Sequence, residues 1–209
     1  MGACAMRLFE RRAHERTREL APAVGGYGPL LQRDYWAIIQ NCRLKPSEVI
    51  RLVSRRFPEF APTGLARFRR LGASEEPLSP GDELEVQIRG AGTFGVRVLQ
   101  VDRASLTLGT LTGHPEAGRI TFGAYRNRRG DVIFHIRSRA RSGSPAHYAG
   151  FVALGDAMQT NCWTDFVNRV AVTVGEGVVG WIHADKRRVD AGTDAPEEAC
   201  GPTFVAEAD

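Results

Sequence analysis

Lysine is almost missing from this chain of 209 residues: Lys45 and Lys186 are the only two, so arginine carries nearly all of the positive charge. The arginines are spread along the chain and the formal net charge is only +4, a balance that permits an acidic partner without requiring one, and nucleic acid is not expected as a ligand. Cysteine is equally sparse. Cys4, Cys42, Cys162 and Cys200 include no pair at CxxC spacing, which removes the usual support for a zinc knuckle or a dithiol redox site and implies reduced thiols in the cytoplasm. No apolar run approaches the roughly 20 residues of a membrane span. The start, MGACAMRLFERRAHERTREL, turns charged before an apolar stretch accumulates and has no Ser or Thr at position 6, so neither a secretory leader nor a myristoylation signal is expected. HExxH, GxSxG and P-loop motifs are also missing, and with them the common metalloprotease, serine hydrolase and nucleotide hydrolase readings.

What remains is a chain with 43% hydrophobic residues, enough for one substantial core. Residues 1–34 read as a charged N-terminal extension ended by Pro22 and the GGYGP cluster. From Tyr35, YWAIIQNCRL is aromatic and β-branched and predicts a strand. In KPSEVIRLVSRRFPEF, Val49, Ile50, Val53 and Phe57 recur at helical spacing behind Ser47, until Pro58 stops the run. TGLARFRRLG, with Leu65, Phe68 and Leu71, predicts a second short helix ending at Gly72.

Alternation follows. ELEVQIRG, TFGVRVLQVD, SLTLGTLT, RITFGAYRN and DVIFHIRSRARS each place apolar residues on one face, and their links GAG, DRA, HPEAG and NRRG are short enough for hairpins, predicting a five-stranded antiparallel meander. From His147 to about Val170 the period returns to helical: Phe151, Leu154, Met158, Cys162, Phe166 and Val170 form one stripe. VTVGEGVVGWI reads equally as a helix end or a small hairpin, and the chain from Asp190 onward is an acidic tail.

A single sheet with one apolar face must cover that face, and the last helix is the element long enough to do so. The expected fold class is therefore α+β, an antiparallel sheet wrapped around a long C-terminal helix, the helix-grip arrangement of START-like domains, over residues 35–175, with residues 176–209 as a C-terminal extension. The stretches GTLTGHPEAGRITF and GDVIFHIRSRARS, followed by a helix carrying Gln159, resemble domain-of-unknown-function family 1990, whose members show a similar GT-x-x-GHPE-x-G turn. The resemblance spans about residues 35 to 175 and implies a START-like fold; it implies no particular activity. Where that family typically carries acidic residues after the turn glycine, this chain has Arg119 and Ile120.

Such a fold often encloses a cavity between sheet and helix. The leading expectation is thus binding of a small, largely apolar molecule lined by Phe94, Phe122, Phe134, Phe151, Met158 and Gln159, with burial contributing about 25 cal/mol per Å². His114 and Glu116, in a turn bounded by Gly113 and Gly118, admit two readings: a structural turn, or a general base with its orienting carboxylate at the cavity mouth. Cys162, in mid-helix on the apolar stripe, reads as core. No third ligand accompanies His114 and Glu116, so no metal or other cofactor is expected. Arg137, Arg139 and Arg141 alternate with the core face and share the outer one with His135, which makes them either a solvated strip or a recognition surface for an acidic partner.

Overall fold

The computed structural model describes residues 18–72, 76–146 and 156–190. Eight antiparallel strands form one sheet: β1 (Tyr27–Ile39), β2 (Ala66–Arg70), β3 (Glu83–Ile88), β4 (Gly92–Val101), β5 (Ser105–Thr110), β6 (Glu116–Arg126), β7 (Val132–Ser142) and β8 (Val178–Arg188). Their spatial order is β2-β3-β4-β5-β6-β7-β1-β8. Strands β3 to β7 are the expected meander. β1, although first in sequence, docks beside β7, pairing Tyr35 with Ile136 and Ala37 with Phe134. The sheet therefore takes in residues on both sides of the 35–175 stretch.

The α-helices among the described residues are α1 (Pro46–Arg55), α2 (Phe57–Phe60) and α3 (Asp156–Val174). In α1, Pro46 occupies the first turn, where its missing N–H costs nothing, and the Glu48 carboxylate accepts the Lys45 N–H at 2.7 Å. Val49, Ile50 and Val53 are buried, as their spacing predicts. Pro58 does not simply stop the chain; it sits in the first turn of α2, which drives Phe57 and Phe60 into the core.

Two expectations are corrected. TGLARFRRLG is not a helix: residues 66–70 form β2, paired with β3 through Phe68 opposite Val86. The spacing of Leu65, Phe68 and Leu71 imitates a helical stripe, but Ala66 and Phe68 are the buried residues, Arg67 and Arg69 point outward, and Leu71 is exposed. A two-residue period with arginines on the wet face is the better description. The first strand begins at Tyr27 rather than Tyr35, with φ of +81° at Gly28 marking irregular pairing near its start. The undecided segment after α3 is neither a fraying end nor a hairpin of its own. The helix stops at Val174, Gly175 to Gly177 turn the chain, and β8 runs back along β1.

Helix α3 lies across the concave face of the sheet. Its C-terminal half packs hard: Phe166, Val167, Val170 and Ala171 are fully buried. Phe166 is the hub, with the rings of Phe57, Phe60, Phe122, Phe134 and Trp163 at centroid distances of 5.2–6.2 Å. Gly175 lets the helix end approach β1, because a Cβ there would fall 2.4 Å from the Gln40 carbonyl oxygen. The first part of the expected helix, including His147 and Phe151, and the acidic tail beyond Asp190 lie outside the described residues.

Candidate functional site

Under the N-terminal half of α3 the two layers part and leave a partly open cavity of about 110 Å³. Its floor is apolar, built by Phe68 of β2, Val86 and Ile88 of β3, Val96 of β4, Leu108 of β5 and Ile120 of β6. Its roof is one face of the helix: Met158, Gln159, Cys162 and Trp163. At one end the lining turns polar, with Thr110, His114, Glu116, Arg119 and Ser138.

Small residues create that polar end. In the β6–β7–β1 ladder Gly118 pairs with Ala140 and Ala140 with Leu31, one row beyond Ile120, Ser138 and Arg33. Across this shallow row the Arg33 guanidinium, 1% exposed as a residue, reaches the Glu116 carboxylate at 3.3 Å. Arg33 shares the inward phase of Tyr35 and Ala37, so it is a charge on the core face, and Glu116 compensates it. Gly118 cannot be replaced without cost, since a Cβ would lie 2.2 Å from the Arg139 carbonyl oxygen.

The turn before β6 places His114. Gly113 adopts φ of +92°, the His114 N–H bonds to the Leu111 carbonyl at 3.0 Å, and Gly143 donates to the Pro115 carbonyl at 2.7 Å. The imidazole Nδ1 lies 3.0 Å from the Glu116 backbone nitrogen and 3.1 Å from the Glu116 carbonyl oxygen. The Phe94 ring meets the imidazole edge-on at 5.4 Å. The main chain of Glu116 orients His114, while its carboxylate serves Arg33. Both residues border the cavity, but not as a carboxylate aimed at an imidazole.

Of the expected lining, Met158 and Gln159 border the cavity. Phe122 and Phe134 are fully buried in the core around Phe166, outside the lining, and Phe94 packs on His114. Sequence reasoning missed Arg33 and Ser138. The signal for both was alternation: each falls in phase with the apolar residues of its own strand. Cys162 is both core and lining, and burial, with the nearby Asp165 charge, pushes its thiol up to about 12. Among the described residues no three His, Cys, Asp or Glu side chains cluster as metal ligands.

On the convex face the arginine strip is neither free nor fully solvated. Arg137 Nε donates to Asp34 Oδ1 at 2.5 Å, Arg139 Nε to Gln32 at 2.9 Å, and Arg141 to the Gly28 carbonyl at 3.1 Å. His135 is buried there and its Nε2 donates to Asp34 at 2.7 Å. Burial alone would raise the Asp34 carboxyl; hydrogen bonds from His135, Arg137 and Gln32 outweigh it and hold the group well below the usual carboxylate range. Burial lowers the His135 imidazole, with the Asp34 hydrogen bond opposing.

A long helix gripped by a curved antiparallel sheet over a partly open cavity defines a helix-grip, START-like fold. The chain belongs to the family described as "Domain of unknown function (DUF1990)", whose model matches residues 59–169, just over half of its length. No curated protein matches the chain. Among solved structures the KanY protein is similar in fold with a TM-score of 0.53 at 9% identity, covering 72% of this chain and all of that one. A Thalictrum flavum norcoclaurine synthase point mutant in complex with a transition-state analogue has a TM-score of 0.49 at 9% identity, covering 70% of this chain and 98% of that one. The major latex-like protein 151 of Panax ginseng likewise has a TM-score of 0.49, at 10% identity, covering 70% of this chain and 99% of that one.

Proposed function

We propose that this protein binds a small, largely apolar molecule in the cavity between the sheet and α3. The observation that carries the reading is the contrast within one helix: the sheet-facing side chains in the C-terminal half of α3 are fully buried, whereas its N-terminal half roofs an apolar space that no described side chain fills. Close packing is the rule in protein interiors, and an apolar void beside a packed core forfeits dispersion contacts that a ligand would restore. Free thiols at Cys42 and Cys162 fit action in the reducing cytoplasm. The test is native mass spectrometry of the purified protein, followed by solvent extraction of any adduct. Wild type is expected to carry a small molecule that Met158→Trp, which fills the space from the roof, excludes; an empty wild type that also fails to take up small apolar compounds would refute the reading.

Acid–base chemistry by His114 and Glu116 is a second reading, favoured by both residues bordering the same cavity. It requires the Glu116 carboxylate to leave Arg33, so an Arg33→Met variant would alter turnover of a bound compound in that case and only its retention otherwise.

A further inference from the structure

Resting on the cavity-binding reading, the polar end narrows the chemistry of the occupant. Ser138 is 5% exposed and borders the cavity, yet its Oγ has no hydrogen-bond partner among the described residues. Such a group is costly to bury unless something completes it. On the same wall the Glu116 carboxylate is already neutralised by Arg33. A charged head would add an unpaired charge to a balanced, largely buried pair, and Arg119 on the same lining is already engaged. A carboxylate or a bare carbonyl would also set its lone pairs against Glu116. A hydroxyl meets neither objection, because it can pair with Ser138 in either direction and offers a proton towards a carboxylate.

We propose that the occupant is an uncharged ring-sized alcohol or phenol, its hydroxyl hydrogen-bonded to Ser138 beside the Arg33–Glu116 pair and its apolar body under Met158 and Trp163. A water-sized site needs about 10–15 Å³ on the same measure, so a space of about 110 Å³ suits a molecule with on the order of ten non-hydrogen atoms.

The test is calorimetric titration of wild type and Ser138→Ala with para-ethylphenol, para-ethyltoluene and para-ethylbenzoate at pH 7, where the phenol is neutral. Wild type is expected to bind the phenol about tenfold more tightly than the hydrocarbon, and Ser138→Ala to lose most of that preference through weaker phenol binding. Because the substitution removes an unsatisfied hydroxyl, the variant should melt no lower than wild type, which separates recognition from misfolding. Equal wild-type affinities for phenol and hydrocarbon, a preference that survives Ser138→Ala, or tightest binding of the benzoate would overturn the proposal while leaving the cavity reading standing. Binding of none of the three would sink both.

Discussion

Two side chains on opposite faces of β1 show how much one position in the pleat decides. Arg33 faces inward and needs Glu116; Asp34 faces outward and collects His135, Arg137 and Gln32. Both Asp34 and His135 have folded-state affinities for protons below their unfolded ones, so each contributes stability that is present at higher pH and lost on acidification. Equilibrium denaturation should therefore weaken first as pH falls through about 6.5, when the unfolded chain takes up the His135 proton, and again below about 4 from Asp34. Asp34→Asn should flatten the second decline, and an unchanged acid limb would contradict this account.

The buried thiol permits a second check. Cys162, with its proton held to about pH 12, is expected to resist iodoacetamide in the native state near neutral pH and to react once the chain is unfolded, as read by mass spectrometry. In the core, Phe166→Ala removes the ring on which five others converge and is expected to cost about 3–5 kcal/mol in urea titrations.

At the scale of elements, glycines in the GTLTGHPEAG turn serve different ends. Gly113 has positive φ and open space around its missing Cβ, so Gly113→Ala should cost only about 1 kcal/mol. Gly118 has the Arg139 carbonyl and the Ala140 backbone within 2.7 Å of that position, so Gly118→Ala must push β6 off β7 and should destabilise by clearly more. Comparable melting temperatures for the two variants would refute the distinction. The turn was legible in the sequence because Gly and Pro punctuate it; the close approach at Gly118 was not, since it depends on which strand lies beside it. The same limit explains β2. Seven residues with apolar side chains at Leu65, Phe68 and Leu71 satisfy a helical template, and only the available pairing edge of β3 settles residues 66–70 as a strand.

At the scale of the whole molecule, β1 holds the distant ends of the sequence together, since it lies between β7 and β8. Residues 27–34 supply Arg33 and Asp34, and β8 stacks His183 on Trp36 with ring centroids 3.8 Å apart. A fragment limited to 35–175 would lose both and leave β1 as a truncated edge. We expect it to fail to give a cooperative thermal transition by circular dichroism, whereas a fragment of 18–190 melts cooperatively; equal behaviour of the two would argue that the shorter stretch is the folding unit.

The meander and the helix that covers it were determined by the sequence itself, because hydrophobic period and short polar turns act locally and each strand of a hairpin finds its neighbour next in the chain. The candidate site was only half legible: Met158, Gln159, His114 and Glu116 lie in motifs or stripes, while Arg33 and Ser138 are marked only by falling in phase with the apolar residues of their strands. Tertiary structure alone decided that β1 crosses to the far side of β7 and that α3 packs at one end and stands off at the other. Those outcomes depend on contacts between residues about a hundred positions apart, as in the pairing of Arg33 with Ser138, and no local period encodes which distant partners will meet.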